Sequence, residues 1–166
     1  MRRISIVWAV FAFIVAPAHA AEFCQKPGTP LENITLVKGF YEAFNIPSKP
    51  MLDRVLADDW VDIPLASGQG PGRDGMKAAL DGFLASFPDF HVKNEDFIAN
   101  GDKVVVRSTI TATQHGVFAG VPATGKALKI TAIDIHKICN GRVLETWHVE
   151  DWLSALFQIG AMPPKL

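Results

Sequence analysis

The chain has 166 residues, enough for one domain with one sizeable core. It is 49% hydrophobic and 20% charged, a normal globular balance. The formal net charge is −1 and no basic stripe stands out, which excludes a dedicated nucleic-acid binder, whose affinity rests on clustered Lys and Arg.

The first residues read as a targeting segment. Arg2 and Arg3 supply positive charge, and Ile4 to Ala16 is an apolar run too short to span a bilayer comfortably. Ala18 and Ala20 place small residues where an A-x-A cleavage site needs them. The pattern predicts a signal peptide over 1–20, cut after Ala20, with an uncleaved anchor as the alternative. It implies a periplasmic or secreted protein with no membrane attachment after cleavage. Residues 21–30, with Pro27, Gly28 and Pro30, read as a flexible leader.

A helix is expected over 31–45, where Ile34, Val37, Phe40, Tyr41 and Phe44 keep a helical period. Pro47 and Pro50 break it. A short second helix follows over 50–57, with Ser48 as its cap and Met51, Leu52, Val55 and Leu56 as its buried stripe. Residues 58–64 suggest a short strand and 67–72 a loop. A third helix over 74–86 carries Met76, Ala79, Leu80, Phe83 and Leu84 on one face and stops at Pro88. The period then changes to two. Strands are expected over 90–99, 103–115, 126–139 and 142–152, with Asn100-Gly101 and Asn140-Gly141 as hairpin turns. Helices first and an antiparallel sheet afterwards give an α+β fold, a single domain over 31–166. A curved sheet wrapped over three helices would enclose a cone-shaped cavity.

Cys24 and Cys139 are the two cysteines. In an oxidising compartment they either pair or stand as separate thiols, and the spacing leaves both open. They are too few and too far apart for a zinc site, and His91, His115, His136 and His148 show no H-x-x-x-H spacing, so no metal motif is read.

The last hairpin raises the functional question, because Asp134 sits among isoleucines. With Asn140-Gly141 as a two-residue turn, Asp134 would face Trp147, His136 would face Glu145 and Ala132 would face Val149. A single bulge would flip that register. Ile133, Ile135, Leu144, Thr146 and His148 would share the opposite face. Both faces are then partly apolar, as in a sheet covered by its own helices on one side and a second subunit on the other. Among apolar neighbours Asp134 would be desolvated, its pKa raised, and its carboxyl usable as a general acid and base. Pairing with His136 or Arg107, or a hydrogen bond to a loop, is the structural alternative.

"HGVFAGVPATGKALKI" (115–130) and "IDIHKICNGRVLETWHVED" (133–151), together with the helix-first order, resemble the SnoaL-like polyketide cyclase family of the NTF2-like superfamily. The resemblance implies an α+β cone, a homodimer, and a hydrophobic pocket for a small hydrophobic molecule. It further implies intramolecular aldol condensation with no metal and no cofactor. Asp134 matches the family's acid–base aspartate, and His115 is the best match for its histidine. Trp147, Phe118, Trp60 and Asp62 would line the pocket, and Arg107 could anchor an anionic group. Phe83 could join them on the wall, although the spacing of Phe83 and Phe87 is that of ordinary helix core. The chain departs from the family pattern at Pro122-Ala123, at His136 in place of an aromatic residue, and at His148 after Trp147. An isomerase or an epoxide hydrolase using Asp134, Arg107 and Asp62, and a non-catalytic binder of apolar ligands, are the other readings on this fold.

Overall fold

The computed structural model describes residues 24 and 26–163. The expected signal peptide lies outside them, as does most of residues 21–25. Helix α1 (Pro30–Asn45) opens on a capping box: Thr29 Oγ1 accepts from the Glu32 amide, and the Glu32 carboxylate accepts from the Thr29 amide. It buries Val37, Phe40, Tyr41 and Ala43. Helix α2 (Lys49–Val55) follows, then strand β1 (Leu56–Ile63), helix α3 (Gly72–Ser86) and strands β2 (His91–Asn100), β3 (Lys103–Thr113), β4 (Ala127–Cys139) and β5 (Arg142–Glu150).

The five strands form one sheet in the order β1-β5-β4-β3-β2. The last four are antiparallel neighbours, as the period-two pattern predicts. β1 instead lies parallel to β5, because the chain crosses from the helical layer before joining the sheet edge. A fourth helix, α4 (Trp152–Ile159), replaces the last residues of the expected final strand. Asp151 caps it by accepting from the Ser154 amide, and Gly160 ends it at φ 79°. The helices cover one face of the sheet around a core that includes Leu52, Trp60, Leu80, Phe87, Val104 and Ile138.

The β4–β5 hairpin corrects the expected register. Asn140 and Gly141 both have positive φ, as a type I′ turn requires, and Cys139 pairs with Arg142 and Ile138 with Val143. The register then shifts, and Leu144 is the extra residue. Lys137 meets Glu145, His136 meets Thr146, and Asp134 meets His148 rather than Trp147. The bulge suits the side chains. It gives Lys137 a 3.1 Å ion pair with Glu145, and it gives buried His136 a hydroxyl partner instead of a carboxylate.

Cys24 and Cys139 form a disulfide with a Cα–Cα distance of 5.6 Å. It ties the start of the described chain to the end of β4. No described helix is long and apolar enough to cross a membrane.

Candidate active site

A cavity of about 210 Å³ lies between the helices and the inner face of the sheet. Its walls are mostly apolar: Phe40, Phe44, Met76, Phe83, Phe90 and Trp152 come from the helical layer and its ends. Its polar groups converge from α1, β1, β4 and β5 as Tyr41, Asp62, Asp134, Thr146, His148 and Glu150. Such a site, apolar with a few convergent polar groups, is the usual form of a small-molecule pocket.

Asp134 is 6% exposed. Its Oδ2 accepts a 2.8 Å hydrogen bond from the Tyr41 hydroxyl. Burial pushes its pKa up to about 7, a rise that Tyr41 opposes and the nearby Glu150 reinforces. Burial and the neighbouring Asp134 hold the Tyr41 phenol well above its ordinary range, so it stays a donor. His136, fully buried behind Tyr41, is pushed down to about 3 by desolvation and stays neutral.

His148 has the opposite character. Its Nδ1 lies 2.9 Å from Glu150 Oε1. Its Nε2 lies 2.8 Å from the Pro64 carbonyl and 3.2 Å from Asp62 Oδ1. A carbonyl only accepts, so Nε2 carries a proton; the Glu150 carboxylate takes the other. Burial disfavours this charge, but the adjacent Asp62 and Glu150 carboxylates outweigh it and raise the pKa to about 11. Atoms of Asp134, His148 and Glu150 lie within 4.8 Å of one another.

The loop between β1 and α3 closes one side. Gln69 donates to Asp62 Oδ2 at 2.9 Å and accepts from the Ala66 amide at 3.3 Å. The loop seats on α3 through two glycines: a Cβ on Gly75 would lie 1.8 Å from the Gly70 carbonyl oxygen.

Of the residues singled out in the sequence, Asp134, Asp62 and Phe83 line this cavity. Trp60 lies beneath it, 1% exposed, with its indole N–H donating to Thr146 Oγ1 at 3.0 Å. The others lie elsewhere. His115 is exposed at the end of β3, its amide bonded to the Ser86 carbonyl. Trp147 pairs with Ile135 on the outer face of the sheet, a consequence of the bulge. Arg107 projects from that face to a partly exposed ion pair with Asp96, so Asp134, Arg107 and Asp62 do not assemble. Phe118 packs against Phe87 and Trp152, with ring centroids 4.9 and 5.1 Å apart, outside the cavity. The sequence reading missed Tyr41, His148 and Glu150 as site groups. Tyr41 is the one tyrosine in the chain and sits in the apolar stripe of α1, a signal that was available.

A model of the SnoaL-like polyketide cyclase family matches residues 35–159. No match to a curated protein was found. Among solved structures, TsrD from Streptomyces laurentii is 28% identical with a TM-score of 0.76, covering 81% of this chain and 99% of its own. IdmH from Streptomyces antibioticus, assigned as a polyketide cyclase, is 29% identical with a TM-score of 0.68, covering 77% and 98%. AclR from Streptomyces galilaeus, assigned as a hydroxylase, is 25% identical with a TM-score of 0.72, covering 83% and 87%. The matched segment holds all of the cavity's polar groups, and the chain belongs to the SnoaL-like polyketide cyclase family, with the NTF2-like α+β fold.

Proposed function

We propose that the protein is an exported acid–base enzyme, working without a cofactor on a small, neutral, hydrophobic carbonyl compound, with intramolecular aldol condensation as its reaction. One observation carries this reading: Asp134, a carboxyl raised to about 7, borders an apolar cavity with one oxygen held by Tyr41. A group with that pKa is half-ionised at neutral pH and serves equally as base and acid. The carboxylate takes a proton from the carbon next to a carbonyl. The resulting enolate carbon forms the new C–C bond to a second carbonyl in the same molecule. The alkoxide so formed takes the proton back from Asp134, and the product is an isomer of the substrate. The His148 imidazolium favours the negative charge that develops on oxygen.

The charge balance favours a neutral ligand. Asp62, Asp134 and Glu150 line the cavity, His148 is ion-paired with Asp62 and Glu150, and no Lys or Arg is among the described lining residues. An anionic group would find no free cation.

Two further features belong to the proposal. Export is supported by the Arg2-to-Ala20 pattern and by a disulfide that suits an oxidising compartment. A homodimer is supported by the outer sheet face, where Ile63, Trp147, Ile135, Val105 and Ile98 form one row across all five strands.

The function is tested by deuterium exchange at the α-carbon of compact neutral aryl ketones, followed by NMR. Exchange by the wild type that is lost in Asp134→Asn supports it. Tight binding without exchange would instead indicate a carrier of apolar ligands.

A further inference from the structure

The indole N–H of Trp60 can only donate, so its 3.0 Å bond to Thr146 Oγ1 has one possible direction. Thr146 Oγ1 is also 3.0 Å from His136 Nδ1. His136 Nε2 is 2.9 Å from the Tyr41 hydroxyl, and that hydroxyl is 2.8 Å from Asp134 Oδ2. Five side chains from α1, β1, β4 and β5 thus form one continuous chain of hydrogen bonds. Burial keeps His136 neutral, so one ring nitrogen donates and the other accepts.

Only one arrangement satisfies every member. Thr146 accepts from Trp60 and donates to Nδ1. The Nε2–H of His136 donates to the Tyr41 oxygen, and the Tyr41 O–H donates to Asp134. In the reverse arrangement Thr146 receives hydrogens from both Trp60 and His136, and its own proton has no acceptor among the described residues. Thr146 is 2% exposed, so an unmet donor there is disfavoured. Ser108 also lies within reach of the Tyr41 hydroxyl, but its own hydroxyl proton is directed to Asn94 Oδ1 at 3.1 Å, which leaves the Tyr41 oxygen to accept from His136.

We infer that Trp60, Thr146 and His136 are positioning residues: a one-way relay that fixes the His136 tautomer and points the Tyr41 hydroxyl at Asp134 Oδ2. The inference rests on the reading of Asp134 as the acid–base group. With Oδ2 occupied, Oδ1 is the oxygen that exchanges a proton with a ligand. The relay also sets the balance of charge. The ionisable groups facing Asp134 are Tyr41 from α1, Asp62 from β1, and His148 and Glu150 from β5; β3 presents Val106 directly opposite. Tyr41 and His148 favour the carboxylate, while burial and the two acids oppose it. Without an oriented phenol, Asp134 shifts further toward its neutral form.

The test is NMR on the disulfide-bonded protein. Imidazole ¹⁵N signals of His136 should show the Nε2–H tautomer from mildly acidic to mildly alkaline pH. Thr146→Val should mix the tautomers and raise the Asp134 midpoint by about one pH unit, through the weakened Tyr41 bond. Thr146→Ser, which keeps the hydroxyl, should leave both readouts as in the wild type. Trp60→Phe should behave like Thr146→Val; if it fails to fold, the wild-type tautomer and the Thr146 pair decide. An Nδ1–H tautomer in the wild type, or an unmoved Asp134 midpoint in folded Thr146→Val, overturns the relay. These readouts do not use turnover. Correct tautomer and midpoints without α-carbon exchange would support the relay while the acid–base function fails.

Discussion

Asp134 on β4 and His148 on β5 are direct cross-strand partners, and the His148 imidazolium favours the charged form of the aspartate. Burial raises the aspartate to about 7, and the neighbouring imidazolium, itself raised to about 11 by Asp62 and Glu150, limits that rise. The cavity therefore holds a carboxyl that exchanges its proton near neutrality beside a cation that does not.

That pairing has a signature in stability. Asp134 has its pKa raised on folding from 3.8 to about 7. Between those values the folded state keeps a proton that the unfolded state has lost, so this group's contribution falls as pH rises through the window. The difference amounts to about 4 kcal/mol at most. His136, lowered to about 3, acts in the other direction below pH 6.5, but it is common to wild type and variant. We expect the stability of Asp134→Asn relative to wild type to rise from pH 4 to pH 8. Urea unfolding at several pH values measures it.

Replacing the cation should be costly. His148→Gln leaves Asp62 and Glu150 near Asp134 without the imidazolium between them. A loss of about 3 kcal/mol is expected, as for a broken buried pair. His148 has its pKa raised, so its contribution is full below its unfolded value of 6.5 and disappears as pH rises toward 11. The variant's deficit should therefore shrink in alkaline solution. The Asp134 midpoint should also move up, which a ¹³C carboxyl titration of the variant would register.

The outer row gives a prediction separate from chemistry. Trp147 and Ile135 lie at the centre of that row and away from the cavity. We expect Trp147→Lys to yield a monomer in sedimentation or light scattering while ligand binding in the cavity is kept. An unchanged mass would remove this face as the subunit interface.

Much of the fold was legible because its signals are local. The stripe of α1, the breaks at Pro47 and Pro88, and the Asn140-Gly141 turn each act within a few residues. Asp134 stood out because a carboxylate among isoleucines is chemically unexpected. Its neighbours were not legible, because one inserted residue, Leu144, exchanges the faces of every residue after it on β5. That bulge sends Trp147 outward and brings His148 and Glu150 in. His115 follows the family's pattern in sequence, but β3 ends before it and leaves it exposed. The fourth helix was hidden because "DWLSALFQI" continues the apolar content of the strand before it; only Asp151, as a cap, marks the change.

The disulfide closes a segment with a sequence separation of 115, long enough for a large loop-closure effect. We expect reduction or Cys24→Ser to destabilise the protein by about 2–5 kcal/mol. Thermal melts with and without reductant measure this. Mass spectrometry of the protein recovered from an exporting host should find Ala21 as its first residue; an intact Met1 would contradict export with cleavage.

The most direct test of the account is the pKa of Asp134 in the wild-type protein, from a ¹³C carboxyl NMR titration assigned with Asp134→Asn. A midpoint of about 7 is expected. A midpoint near the ordinary aspartate value of about 3.9 would mean a solvated or ion-paired carboxylate, and the acid–base function would be wrong.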